Sequence, residues 1–149
     1  MMDLLNHKFF NYFSDTGAKA LAEYVEEIPY NDQTVVFEEG DPSNEIYLIL
    51  EGAVELTKRA KNGQQIQIST AQAGDYFGEM GVLDDAPRST RAATHGFTRL
   101  AKIPGAPLMR VLNQEPAYVT LQLVRAILIN LRRTNDRLVE QSATSPKKS

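Results

Sequence analysis

The chain has 149 residues, of which 42% are hydrophobic, and this is enough for one sizeable core and short for two, so we expect one domain with appended helices. It contains no cysteine, which excludes disulfides, thiolate zinc sites and cysteine nucleophiles. The net charge of −3 gives no broad reason to bind nucleic acid, and without a bilayer-length apolar run or a basic secretory signal we expect a cytoplasmic protein.

Two amphipathic segments open the chain. Apolar side chains recur at helical spacing from Asp3 to Phe13, and Ser14 or Asp15 could cap a second helix that runs to about Glu27. Each segment has one apolar stripe, which indicates packing against a larger structure. We therefore predict two N-terminal helices with a structural role.

A series of short β-type runs separated by turn residues follows from Pro29. The predicted strands are Thr34–Phe37, Ile46–Leu50, Ala53–Arg59, Gln64–Ala71, Thr90–Thr94 and Arg99–Ile103. The pair Asn62-Gly63 predicts a hairpin with a tight primed turn, because both residue types tolerate positive φ angles. Apolar and polar residues alternate, which indicates one buried and one polar face. The fold class expected is mainly β with flanking α-helices, an antiparallel β-roll or jelly roll.

The stretch from Phe77 to Thr90 has the composition of an anion site. Two glycines surround the lone carboxylate of Glu79, and an apolar helical turn and a Pro-Arg-Ser step follow. Glycines let backbone N–H groups approach an anion, and the planar donor fork of Arg88 suits a phosphate. Glu79 only accepts hydrogen bonds when ionised, so it suits a sugar hydroxyl. A phosphorylated sugar would satisfy both side chains.

Two C-terminal helices are predicted, a short one from Pro107 to about Gln114 and a long one from Pro116 to about Gln141. In the long helix, residues recur at alternating steps of four and three, which is the spacing of a coiled-coil seam: Ala117, Leu121, Val124, Leu128, Leu131, Asn135 and Leu138. This seam predicts a homodimer. The polar tail, residues 142–149, is expected to be disordered.

These segments together resemble the cyclic nucleotide-binding domain family, from about residue 14 to residue 141. The resemblance rests on Gly40-Asp41, on Gly74-Asp75-Tyr76-Phe77-Gly78-Glu79 and on Pro87-Arg88-Ser89, which is similar to the family's phosphate-binding cassette. The run Leu131–Leu138 resembles the long helix of bacterial catabolite-activator-type sensors. The family implies a single binding domain over residues 1–141 that transmits ligand binding through its C-terminal helices.

The resemblance also implies the ligand-binding residues, which are Gly78, Glu79, Met80, Arg88, Ser89, Thr134 and Asn135. Glu79 would accept a hydrogen bond from the ribose 2′-hydroxyl, Arg88 and Ser89 would bind the cyclic phosphate, and backbone groups of Gly78 and Met80 would complete the cradle. Thr134 and Asn135 would reach the base. The ligand implied is cAMP, by analogy with the bacterial sensors, and cGMP stays possible because threonine and asparagine can both donate and accept.

Other functions are weighed against this sensor. A metal-dependent jelly-roll enzyme needs several converging histidines, whereas only His7 and His95 are present, isolated and expected in loops or at the surface, so no metal and no enzymatic activity are predicted. Direct DNA binding is not expected, since a helix-turn-helix would need more chain after residue 141. Other possibilities remain open. The chain could be a dimerisation module that needs no ligand, or a sensor that acts on a separate effector protein, or the sensor portion of a longer effector protein.

Overall fold

The structure, a computed structural model, describes residues 3–144, with side chains described through residue 136. Two 3₁₀ helices, Leu4–Asn6 and Lys8–Tyr12, precede the regular elements. The strands are β1 (Glu26–Tyr30), β2 (Val35–Phe37), β3 (Glu45–Arg59), β4 (Gln65–Gln72), β5 (Tyr76–Phe77) and β6 (Arg91–Pro104). The helices are α1 (Asp15–Ala22), α2 (Glu79–Asp84), α3 (Gly105–Gln114) and α4 (Ala117–Thr144).

The described strands form one antiparallel sheet in the order β1-β6-β3-β4, with β2 paired to β6 and β5 paired to β3. The expected β-roll with flanking helices is confirmed. The predicted strands Ile46–Leu50 and Ala53–Arg59 are parts of the single strand β3, and Thr90–Thr94 and Arg99–Ile103 fall within β6 or at its start. The strands β3 and β6 pair with each other along most of their length. The pairing shifts register on both sides of Glu51, and Gly52 has a φ of 90° there. A Cβ on Gly52 would collide with the carbonyl oxygen of Phe97, so the turn signal marks a bulge inside a bent strand.

Both faces of β3 are buried between Ile46 and Leu50, contrary to the expected single buried face. Ile46, Leu48 and Leu50 point to a core formed with the 3₁₀ helices, α1, α3 and α4. Tyr47 and Ile49 point into the roll, where they pack against Phe37 and Phe77. The reason is that helices cover the outer face of this part of the sheet, so a continuous apolar run is needed.

The N-terminal region differs from the prediction. The second helix begins as expected, with the Ser14 hydroxyl accepting the Gly17 N–H at 3.1 Å, but it ends at Ala22 rather than near Glu27. Residues 26–30 form β1 instead, because they pair with the edge of β6. The first segment is two 3₁₀ helices interrupted at His7, whose backbone is extended (φ −66°, ψ 137°).

His7 lies in the bend between the two 3₁₀ helices, which agrees with a loop position, but it is completely buried and not at the surface. Its Nδ1 accepts the Phe9 N–H at 3.1 Å, and its Nε2 lies 3.0 Å from the carbonyl oxygen of Asp75. Both ring nitrogens are therefore used by the backbone, with Nε2 carrying the hydrogen. His95 is exposed, as expected.

The β3–β4 hairpin forms where Asn62-Gly63 predicted it, but the turn is of a different kind. Gly63 has a φ of 85°, whereas Asn62 does not enter the positive-φ region. The Gly63 N–H donates to the Ala60 carbonyl at 2.9 Å, and the Ala60 N–H donates to the Gln64 carbonyl at 2.8 Å. This is a three-residue loop that ends in a left-handed glycine, not a two-residue primed turn.

The C-terminal helices form as predicted, with small shifts at their ends. α3 begins at Gly105, two residues before Pro107, and α4 continues to Thr144, past the predicted end near Gln141. Residues 145–149 of the predicted tail lie outside the described residues. Val119 and Leu123 of α4 are buried against the helical core, and Ile127 packs on its edge. The predicted seam lies on another face, where Leu121 is 66% and Leu128 is 51% exposed.

Candidate functional site

A cavity of about 450 Å³ lies between the roll, the α2 segment and α4. Six of the seven predicted site residues border it: Gly78, Glu79, Met80, Arg88, Ser89 and Thr134. Asn135 is exposed and is not part of the lining. The volume falls within the range of pockets for small ligands, roughly 300–1,000 Å³.

Arg88 is the buried cation of this cavity, only 5% exposed. Its Nη1 donates to the Gly78 carbonyl at 2.7 Å and its Nη2 donates to the Glu45 carbonyl at 2.6 Å. The guanidinium carbon lies 4.2 Å from the centre of the Phe37 ring, so the flat group stacks on an aromatic floor. Its Nε is buried and has no hydrogen-bond partner. Burial lowers the pKa of Arg88, but an arginine stays charged because its ordinary pKa is above about 12.

No carboxylate forms an ion pair with Arg88 within the part of the chain that the structure describes. Glu79, the carboxylate of the glycine-glutamate motif, is not among its salt-bridge or hydrogen-bond partners. A desolvated cation that is held only by neutral carbonyls retains most of its attraction for an anion. This side chain is therefore available to an anionic ligand.

The glycine before α2 makes room for Arg88. Gly78 has a φ of 80°, and a Cβ at this position would lie 2.6 Å from Nη1 of Arg88. The space that we assigned to an approaching anion is thus occupied in part by the guanidinium itself. Gly81 has a related role, since a Cβ there would collide with the Ser43 hydroxyl and come within 2.7 Å of the Ala86 carbonyl.

Glu79 is the first residue of α2 and is partly buried at the cavity wall. Desolvation raises the pKa of its carboxyl group, and a hydrogen bond from its own backbone N–H and the charge of Arg88 oppose that shift only in part. A buried carboxylate with a raised pKa is an acceptor in need of donors. A ligand hydroxyl would supply one.

The backbone of Arg88 is hydrogen-bonded to the β2–β3 loop. The Arg88 N–H donates to the Asp41 carbonyl at 2.8 Å, and the Gly40 N–H donates to the Arg88 carbonyl at 2.8 Å. Gly40 has a φ of 90°, which only glycine adopts without strain. The Gly40-Asp41 pair of the β2–β3 loop therefore holds the backbone of the arginine in place.

One face of α4 closes the cavity. Thr134 donates its hydroxyl hydrogen to the Asn130 carbonyl at 3.0 Å. Ile127, Asn130, Leu131 and Arg133 line the cavity with it. Of these, Asn130 and Ile127 were missed by the sequence analysis, although they lie four and seven residues before Thr134 and so share its helix face.

The strands contribute lining residues that the sequence analysis also missed. These are Leu56 and Lys58 of β3 and Ile68 and Thr70 of β4. The signal was present in the alternation, since each pair is separated by two residues and therefore lies on one face of its strand. The curvature of the roll, which the sequence does not reveal, turns these faces of β3 and β4 toward the same cavity.

Two further features bear on the class of protein. Among residues 3–136, no group of three or more histidine and carboxylate side chains is arranged to hold a metal ion. No helix in the described range is both long and apolar enough to cross a membrane.

The fold and the cavity define a β-roll ligand-binding domain with a helical lid. The chain belongs to the cyclic nucleotide-binding domain family, whose family model matches residues 27–115. This confirms the resemblance inferred from the glycine-glutamate and proline-arginine motifs. The match includes the whole segment from Gly40 to Ser89.

Known proteins agree with this assignment. A CRP-like cAMP-activated global transcriptional regulator from Mycobacterium tuberculosis is 29% identical over 121 residues, which cover 81% of this chain and 54% of the regulator. A cyclic nucleotide-binding domain from Methylobacillus flagellatus has the same fold, with a TM-score of 0.79, 24% identity and coverage of 91% of this chain and 81% of that one. The regulatory domain of Toxoplasma gondii protein kinase A, crystallised with cAMP, has a TM-score of 0.72 and 21% identity, covering 83% of this chain and 46% of its own. The chain thus spans about half the length of the mycobacterial regulator.

Proposed function

We propose that this protein is a non-enzymatic cAMP sensor. The observation that carries the proposal is the buried guanidinium of Arg88, which stacks on Phe37, is held by two neutral carbonyls and leaves Nε without a partner. A cyclic phosphodiester carries a single negative charge, which one arginine can neutralise. The ribose 2′-hydroxyl would donate to Glu79, and Ser89 and the backbone groups of Gly78 and Met80 would bind the remaining phosphate oxygens.

The state of Thr134 favours adenine over guanine. Because its hydroxyl hydrogen is already donated to the Asn130 carbonyl, the oxygen presents lone pairs toward the cavity. Adenine has an amino group at position 6, which donates a hydrogen bond, whereas guanine has a carbonyl oxygen there, which accepts one. An acceptor on the lid that faces position 6 therefore matches cAMP, whereas guanine would have to meet it through its N1–H or its 2-amino group. Asn135 would contribute only if α4 moved.

Signal transmission follows from the position of α4. A ligand that bridges Arg88 and Thr134 would bind more tightly when α4 is close to the roll, and such differential binding shifts the equilibrium between helix positions. We propose that the exposed seam on α4, from Ala117 to Leu131, pairs two copies of the chain. The output would pass to an effector protein or to an effector domain of a longer polypeptide.

Isothermal titration calorimetry with cAMP and cGMP tests the proposal. We expect wild-type protein to bind cAMP more tightly than cGMP, and Thr134→Val to narrow that difference because the acceptor is lost while the shape is kept. Arg132→Ala, which removes an exposed charge outside the cavity lining, should bind as wild type does. Absence of cAMP binding by the wild-type protein would refute the function.

The competing function is ligand-independent dimerisation. It is favoured by the apolar exposure of Leu121, Val124 and Leu128 on one face of α4. Light scattering with and without cAMP separates the two functions. A dimer that forms without measurable binding of either cyclic nucleotide would support the competing one.

A further inference from the structure

Besides Arg88, three cationic side chains among the described residues line the cavity: Lys8, Lys58 and Arg133. Neither the sequence motifs nor the family match assigns a role to Lys58, which belongs to β3. Its Nζ donates to the carbonyl oxygen of Ser89 at 2.9 Å and lies 3.4 Å from Oε2 of Glu39. Its side chain is 50% exposed and borders the same cavity as Arg88 and Ser89. It thus contacts the residue next to the buried arginine.

The bond to Ser89 completes the attachment of the Arg88-Ser89 segment to the roll. The two other bonds, to Asp41 and from Gly40, fix the backbone of Arg88. Among the described side chains, Lys58 alone is bonded to the Ser89 backbone. The bond is charge-assisted, and such bonds are about twice as strong as neutral ones. It holds the Ser89 carbonyl and so restrains the peptide plane that follows this residue.

Glu39 keeps Lys58 in this position without removing it from the cavity. Its Oε1 accepts the Arg59 N–H at 2.9 Å, so the carboxylate is anchored at the end of β3 beside the lysine. That hydrogen bond, together with Lys58, lowers the pKa of Glu39. The ammonium group is therefore held between an anchored surface carboxylate and the cassette carbonyl.

We infer that Lys58 is a positioning residue of the anion site, which holds the backbone of Ser89 in place and adds positive charge at that end of the cavity. The inference rests on the proposed function, since it concerns the affinity for a cyclic phosphate. The two contributions can be separated by substitution. Arginine keeps the charge and the donor, glutamine keeps a donor without the charge, and methionine keeps neither.

The test is calorimetric titration of cAMP into Lys58→Met, Lys58→Gln and Lys58→Arg at low and at high salt. The matched control is Lys61→Met, which removes the same charge from an exposed position on the β3–β4 loop. We expect the dissociation constant to rise about tenfold for methionine, less for glutamine and at most about threefold for arginine, where tenfold corresponds to about 1.4 kcal/mol. The dissociation constant of the methionine variant divided by that of the wild type should fall at high salt, because salt screens the charge of Lys58.

Two results would overturn the inference while leaving the proposed function intact. One is a wild-type protein that binds cAMP and a Lys58→Met variant whose affinity equals that of Lys61→Met. The other is an arginine variant that binds no better than the methionine variant, since this would exclude a role for the charge. Without ligand, the Lys58 variants should differ from wild type in melting temperature by no more than Lys61→Met does. A large drop in the melting temperature of Lys58→Met alone would also count against a role confined to ligand binding.

Discussion

Replacing Arg88 with lysine separates the geometry of the anion site from its charge. The arginine uses Nη1 and Nη2 for the Gly78 and Glu45 carbonyls while its flat face covers Phe37. A lysine keeps the positive charge but has three donors at one point and no planar fork. It cannot hold both carbonyls and bind phosphate oxygens from the same position.

The expected loss of cAMP affinity follows from the contacts that lysine cannot reproduce. One charge-assisted hydrogen bond contributes about 1.5–3 kcal/mol. Weaker stacking on Phe37 removes about 0.5–1 kcal/mol more. The sum, about 2–4 kcal/mol, corresponds to a dissociation constant raised by about 30- to 1,000-fold. Arg88→Ala, which also leaves two carbonyls unpaired, should lose about 2–5 kcal/mol.

Isothermal titration calorimetry at a fixed salt concentration measures this loss, with Arg132→Lys as the control for an exposed arginine on α4. Circular dichroism of the ligand-free variants establishes that they are folded. An Arg88→Lys variant that binds cAMP within threefold of wild type would refute the argument, because charge alone would then account for the affinity.

Three further outcomes are expected. Burial, the largest cause, lowers the pKa of His7 below 6.5, so below pH 6.5 the unfolded chain binds a proton that the folded chain does not. The melting temperature should therefore fall as the pH drops below 6.5. His7→Gln should make the melting temperature less dependent on pH, and an unchanged slope would contradict this prediction. Gly78→Ala should lose about 1–2 kcal/mol of unfolding free energy to backbone strain, measured by denaturant titration, and should also lose cAMP affinity. Gly63→Ala, at a φ of 85° with open space around the new Cβ, should lose unfolding free energy but keep its cAMP affinity. Leu128→Glu should convert a dimer to a monomer in light scattering, and a dimer that persists would place the interface elsewhere.

Patterns with a local physical cause could be predicted from the sequence. The Ser14 cap, the hairpin at Gly63 and the start of α2 at Glu79 depend on residue chemistry within a few positions. The separation of the glycine-glutamate and proline-arginine motifs was specific enough to identify the family, and six of the predicted site residues border one cavity. The spacing of the seam likewise predicted a continuous apolar stripe on α4.

Features that depend on what packs against a segment could not be predicted. Glu26 and Glu27 were predicted at the end of a helix, yet they begin the strand Glu26–Tyr30 because the edge of β6 is there to pair with it. His7 is buried because its two ring nitrogens meet backbone groups of Phe9 and Asp75, and Asp75 is far away in sequence. The merging of strands at Gly52 depends in the same way on the approach of Phe97.

The anion site shows the same division. Its residue types, a glycine, a carboxylate and an arginine, are fixed by the sequence between Phe77 and Thr90. The tertiary structure decides how they are used: the guanidinium fills the space beside Gly78, stacks on Phe37 from β2 and binds the Glu45 carbonyl of β3. It also brings Lys58 and Asn130 to the cavity, since the curvature of a sheet and the position of a packed helix are properties of the whole core rather than of any one segment.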